Sequence, residues 1–420
     1  MLFDGLDHPT FETFDIRGRL ALLEETGTKK TRVPVDRVAG RARFGAVAAA
    51  GNESVEGEAD DLLVFTSNNF LGLAGDDRVI AAAQDAAENV GTGAGASRVS
   101  TGDTIAHRTL ESDLADVKNT DDALVFSSGY AANLGTITCL YPNVIFSDEY
   151  NHTSIIEGAR TANAEVVVYD HCDPTDLAAK MEAQRARSDG DTEKWLVVTD
   201  SVFSMDGDVA PLEALCDVAD EYGAWMMVDE AHATGIYGEN AGGIAQDRGV
   251  SDRIEIQMGT LSKALGSQGG YVAGDAELIE YVATSARSFV FSTGLNPPAA
   301  GAARRALEIA RDSDRPARLL ENAEFVRNAL DERGFETWGE GHIVPVIVGD
   351  PTLARDASAM LWERGIRVNN VPYPAVPPGT SRLRVIPLAT HTQRDLERFV
   401  DALETVGREL GVVANGDEGK

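Results

Sequence analysis

Between residues 61 and 295, short unbroken apolar runs alternate with amphipathic helical stretches, and that rhythm leaves few architectures open. Leu124-Val125-Phe126, Val144-Ile145-Phe146, Val166-Val167-Val168, Leu196-Val197-Val198 and Trp225-Met226-Met227-Val228 are strand candidates. Their hydrophobicity is continuous rather than alternating, which suits strands covered on both faces. Helical patterns fill the intervals. The one after Pro211 puts Leu212, Leu215, Cys216 and Ala219 on one face, with Pro211 suited to the first helical position. Strands that alternate with helices predict an α/β fold built on a mainly parallel sheet. Beyond Asn296-Pro297-Pro298 come two long helical patterns, near 299–312 and 316–333, then strands at 343–348 and 382–386 and a last helix at about 392–410. The layout predicts an N-terminal arm over 1–60, a large domain over 61–295 and a smaller C-terminal α/β domain over 296–420. The arm reads as helical and then irregular and acidic over 52–58, and the polar tail 415–420 is expected to fray.

Composition narrows the function. The 420 residues carry 37 basic and 68 acidic side chains, a net charge of −31. Such a surface repels nucleic acid and anionic lipid, so neither is an expected partner. It either steers cationic ligands or is the solvated acidic surface of a salt-adapted protein. Lysine scarcity favours a halophilic origin, since only Lys29, Lys30, Lys118, Lys180, Lys194, Lys263 and Lys420 occur. No apolar run reaches the roughly 18 residues that would suggest a membrane span. The start, Met1-Leu2-Phe3-Asp4, lacks the basic flank and apolar stretch of a signal peptide. Cys139, Cys172 and Cys216 are scattered, which fits a reducing cytoplasm and suggests neither a disulfide framework nor a metal site.

Five segments carry chemistry. In Gly259-Thr260-Leu261-Ser262-Lys263-Ala264-Leu265-Gly266, a lysine sits among small residues with few charges near it. Confinement of that kind favours the neutral amine, the form that condenses with an aldehyde; the alternative is a surface lysine in a glycine-rich loop. In Met227-Val228-Asp229-Glu230-Ala231-His232, an apolar run ends in a carboxylate with a histidine three residues on. The carboxyl edge of an open α/β sheet is where ligands bind, and an aspartate there can hold a cationic ring nitrogen. The same letters occur in helicases, but no GxxxxGK[ST] loop accompanies them here.

Ser127-Ser128-Gly129-Tyr130-Ala131-Ala132-Asn133 follows the strand at 124–126 and leads into a helix, a geometry that presents backbone N–H groups to phosphate. Gly91-Thr92-Gly93-Ala94-Gly95 resembles a dinucleotide fingerprint but follows a helical pattern at 80–89 rather than a strand, so it fails that motif's context. Asp148-Glu149-Tyr150-Asn151-His152 puts a histidine at a strand end, either to stack on a flat cofactor or as a hydrogen-bonded loop residue. In Ser381-Arg382-Leu383-Arg384 two arginines share one strand face, as carboxylate forks or as solvated edge residues.

Taken together and in this order, these segments resemble the α-oxoamine synthases, a fold-type-I pyridoxal-phosphate (PLP) family. Asn68-Asn69-Phe70-Leu71-Gly72-Leu73, Val202-Phe203-Ser204-Met205-Asp206-Gly207-Asp208 and Ala389-Thr390-His391-Thr392 extend the likeness over residues 68–391. The resemblance implies a fold-type-I PLP-dependent transferase in which Lys263 holds the cofactor as a Schiff base. Asp229 then pairs with the ring nitrogen, His232 reaches the ring hydroxyl oxygen and His152 stacks on the ring. Ser204 adds a polar contact. Gly129, Tyr130 and Thr260 bind the phosphate, which Thr293 reaches from the partner subunit of a homodimer whose active sites lie at the interface. Arg384, assisted by Asn68, grips the amino-acid carboxylate. The implied reaction joins an amino acid to an acyl-CoA or acyl-carrier thioester, with Lys263 also acting as proton-transfer base.

Two substrate pairs stay open. Gly93-Ala94-Gly95-Ala96-Ser97-Arg98 and Asp206-Gly207-Asp208-Val209-Ala210-Pro211 look like members that use alanine and a pimeloyl thioester for biotin. Val371-Pro372-Tyr373-Pro374 is closer to members that use glycine and acetyl-CoA. An aminotransferase of the same fold, using a keto acid and no CoA, is the alternative of another class.

Overall fold

The computed structural model describes residues 15–25, 29, 32–44, 60–187 and 193–414. The expected acidic stretch at 52–58 and the tail at 415–420 lie outside the described residues. In the N-terminal segment, the helix Ile16–Glu25 buries none of its side chains.

The alternation of runs and helices produces a seven-stranded sheet. Its strands are β1 (Asp122–Phe126), β2 (Val144–Asp148), β3 (Glu165–Tyr169), β4 (Trp195–Asp200), β5 (Trp225–Asp229), β6 (Ile256–Thr260) and β7 (Gly270–Gly274). They lie in the order β1-β7-β6-β5-β4-β2-β3. Pairing is parallel from β3 through β6, and β7 runs antiparallel to both its neighbours. β2, β4 and β6 are buried along their whole length, as their unbroken hydrophobicity requires. β3 departs from that expectation. It is the sheet edge, and its Val166 and Val168 are exposed. Pro211 also differs from expectation, standing at the N-cap of the helix Leu212–Tyr222 rather than inside it. That helix does bury Leu212, Leu215, Cys216 and Ala219.

A second sheet comprises β8 (Glu336–Thr337), β9 (Val344–Gly349), β10 (Asn369–Val371) and β11 (Ser381–Val385), in the order β8-β9-β11-β10 and antiparallel throughout. β11 therefore has a neighbour on each side and is wholly buried, so Arg382 and Arg384 are not solvated edge residues. Helix Pro297–Asp312 contributes Ala303, Ala306 and Leu307 to the cluster that includes Leu110 and Val125. Leu63 and Phe65 instead pack with Val346, Leu383 and Phe399 around the second sheet.

Candidate active site

The carboxyl ends of the parallel strands converge on one region, where an open α/β sheet binds its ligands. β5 ends in Asp229 and β4 in Asp200, and the two are paired in register. Both are buried. Asp229 accepts hydrogen bonds from the Ala231 N–H at Oδ1 and the Asn133 Nδ2 at Oδ2, each 2.8 Å long. Burial, with the charge of Asp229 beside it, pushes the Asp200 carboxyl well above the usual carboxylate range.

The turn after β5 brings His232 Nε2 to 2.7 Å from Lys263 Nζ, which comes from the loop after β6. Burial lowers the Lys263 amine to about 8, against the opposing pull of Asp229 and Asp200. Burial, and then the charge on Lys263, hold His232 well below the usual histidine range, so its ring is neutral. The small residues around Lys263 thus do confine the amine. The proximity of Asp229 and Asp200 is a feature that sequence spacing did not show.

After β1, the helix Gly129–Cys139 opens with Ser128 as its cap, the hydroxyl accepting from the Ala131 N–H. Gly129 and Tyr130 head this helix with backbone N–H groups that have no protein acceptor among the described residues, as the first turn of a helix leaves them. Thr260 lies alongside: a Cβ built on Gly129 would stand 3.5 Å from its Oγ1. Gly270 on β7 makes this closeness possible, since a Cβ there would come within 2.5 Å of Gly129 Cα. Free helix-end donors beside a hydroxyl form an anion cradle. After β2, His152 caps the helix Thr153–Thr161, and its exposed ring lies near enough to Asp229 and Lys263 to feel both charges.

Arg384 enters from β11. It is 8% exposed, donates through Nε to the Ser204 carbonyl and through Nη1 to Asn68 Oδ1 at 3.3 Å, and meets no carboxylate among the described residues. Burial lowers it to about 10. Arg382, the other arginine of the pair, is consumed by Asp206 at 2.5 Å. Asp148, His171 and Cys172 bring potential ligand atoms within 4.8 Å of one another. Both His171 nitrogens already face carboxylates, Asp148 at 2.9 Å and Asp208 at 3.2 Å, so the group braces the Ser204 loop. Thr293 is exposed, and its backbone bridges to Ser97.

The structure therefore gathers Lys263, His232, Asp229 and His152 around one centre, with Gly129, Tyr130 and Thr260 forming a cradle and Arg384, Asn68 and Ser204 linked by hydrogen bonds. Sequence reasoning missed Asp200, Asn133 and Ser154. The one available signal was the presence of polar side chains on otherwise apolar faces, such as Asn133 and Thr136 in the helix Gly129–Cys139.

A mainly parallel sheet carrying a confined lysine, a buried aspartate and an anion cradle at its carboxyl edge defines a PLP-type site on a transferase fold. Comparison with known proteins agrees. The family model for aminotransferase class I and II matches residues 60–403, and the chain belongs to that family. An 8-amino-7-oxononanoate synthase of Lysinibacillus sphaericus is 41% identical over 403 residues, 94% of this chain and 99% of the relative. One from Geobacter sulfurreducens is 44% identical over 87% of this chain and 94% of its own length. A serine palmitoyltransferase of S. paucimobilis, solved with a bound PLP–myriocin aldimine, superposes with a TM-score of 0.85 at 30% identity, covering 95% of this chain and 98% of that one.

Proposed function

We propose that this chain is a PLP-dependent acyltransferase that condenses an amino acid with an acyl thioester, releasing CoA or carrier thiol and carbon dioxide. Its activity is that of 8-amino-7-oxononanoate synthase, which uses alanine and a pimeloyl thioester in biotin biosynthesis. The observation that carries the assignment is 41% identity spanning 99% of a relative so named. The site supports it, because the residues fit the cofactor: the free N–H groups of Gly129 and Tyr130 suit a phosphate, and Asp229 suits a ring nitrogen.

When bound, PLP supplies an electron sink for the amino acid's α-carbon. Gly129, Tyr130 and Thr260 hold its phosphate, joined by Thr293 of a second subunit in a homodimer. Asp229 would keep the ring nitrogen protonated, with His152, His232 and Ser204 as the further residues that would hold the ring. Lys263 would anchor the cofactor, and its Nζ, which burial lowers to about 8, would be the base for the α-proton. Arg384 orients the substrate carboxylate with donors that Ser204 and Asn68 leave free. The reading includes a cytoplasmic, salt-adapted protein, supported by a net charge of −31. Among the described residues no helix is long and apolar enough to cross a membrane. It also includes the division into arm, large domain and small domain at residues 60 and 295.

One observation favours glycine C-acetyltransferase as a second reading. The Tyr373-Pro374 segment, which follows β10 and reaches Ser381 through the Tyr373 N–H, is of the kind found in members that use glycine and acetyl-CoA. A thiol-release assay crossing glycine, alanine and serine with acetyl-CoA and pimeloyl-CoA tests both. Alanine with pimeloyl-CoA is expected to dominate. Dominance of glycine with acetyl-CoA selects the second reading, and transamination without thiol release refutes both.

A further inference from the structure

The environment of His152 has a directionality that the proposed mechanism does not use. Asp229, as a carboxylate, can only accept, so the Asn133 amide presents its NH2 to Oδ2, 2.8 Å away. A flipped amide would set oxygen against oxygen. The second hydrogen of that NH2 goes to Ser154 Oγ, also at 2.8 Å. Ser154 Oγ has no other acceptor in reach among the described residues, so its own hydrogen goes to His152 Nδ1 at 2.7 Å. The Ser154 backbone N–H reaches the same nitrogen at 3.2 Å. Nδ1 therefore accepts, and the proton of the neutral ring sits on Nε2. Asn133 and Ser154 are 0% and 1% exposed, so water does not substitute for either. The Asn133 Oδ1 is buried without a partner among the described residues, a cost that accords with an amide retained for its two donors. From the other side, Asp200 Oδ2 accepts the His152 N–H at 2.8 Å. The histidine is thus tied through backbone and ring to Asp200 and Asp229, which end two adjacent strands.

We propose that Asn133 and Ser154 are positioning residues, a one-way hydrogen-bond chain from Asp229 that fixes His152 as its Nε2–H tautomer and pre-organises the cofactor pocket. The cofactor part of this inference rests on the PLP reading above; the tautomer part does not.

The test uses the full-length apoprotein labelled with 15N-histidine, the His152 signals being assigned by their loss in His152→Gln. At a pH where the ring is neutral, the wild-type spectrum should show His152 protonated on Nε2 alone. Ser154→Ala and Asn133→Leu should each add a measurable Nδ1–H population, and Ser154→Thr should restore the single tautomer. PLP titration should find the dissociation constant raised in Asn133→Leu, since Asp229 and the His152 ring both lose the group that orients them. Wild-type protein with the proton on Nδ1, or variants that leave tautomer and PLP affinity unchanged, would overturn the proposal. If Asn133→Leu fails to fold, Ser154→Ala decides by the same spectrum. Wild-type protein with the Nε2–H tautomer but no affinity for PLP would refute the cofactor reading and leave the chain intact.

Discussion

Arg384→Leu separates binding from folding. In the free protein the guanidinium is buried with no carboxylate partner among the described residues, and burial lowers it to about 10. Removing it relieves a desolvation cost of several kcal/mol. It also strips the half-buried Ser204 carbonyl and Asn68 Oδ1 of a donor, at about 1–3 kcal/mol as an upper range. The two changes oppose each other, so the melting temperature should move by only a few degrees. Substrate binding has no such compensation. A carboxylate about 4 Å from the guanidinium charge centre, at an effective dielectric constant near 20, gains about 4 kcal/mol. That corresponds to roughly a thousandfold in kcat/KM for the amino acid. Steady-state thiol release at varied amino acid and saturating acyl-CoA measures it, with calorimetric melting of the same samples. Arg384→Lys keeps the charge but not the two-donor fork and should fall between the two. A loss below tenfold in Arg384→Leu, or a loss of activity matched by unfolding, would refute the argument.

Three further outcomes follow from other parts of the fold. The rate of PLP capture by apoprotein depends on the neutral amine, so it should rise with pH and level off near 8; a rate still climbing toward the ordinary lysine value of 10.5 would contradict the burial of Lys263. Gly270→Ala forces a Cβ to within 2.5 Å of Gly129. Denaturant unfolding should show a loss of about 1–3 kcal/mol, and titration should show weaker PLP binding, while a neutral result would mean the cradle can shift freely. Lys118 and Glu230 form a wholly buried pair at 2.7 Å. Lys118→Met should cost about 3–5 kcal/mol by stranding the carboxylate, and adding Glu230→Leu should recover part of it.

Much of this architecture is legible in the sequence. Each unbroken apolar run in the large domain became a strand, and the motif residues after four of them fell at the carboxyl edge, because strand-end placement is a local property. What remained hidden depends on neighbours far away in sequence. Val166-Val167-Val168 reads like a central strand, yet β3 has only one neighbour. Arg382 and Arg384 are alike as residues two apart; only the chance that Asp206 lies beside one and not the other divides a structural cation from an unpaired one. Lys263 sits in a charge-poor segment, but Asp229 and Asp200 arrive from other strands and partly offset its burial. Asn133 lay inside a recognised motif without a role, since its partners, Asp229 and Ser154, are 96 and 21 residues away.

The account stands or falls on Lys263 as the cofactor's anchor. Protein reconstituted with PLP, reduced with borohydride, digested and mapped by mass spectrometry should carry the pyridoxyl group on the peptide containing Lys263. Lys263→Ala should carry none while melting as a folded protein. Label on another of the seven lysines, or normal thiol-releasing turnover in Lys263→Ala, would contradict it.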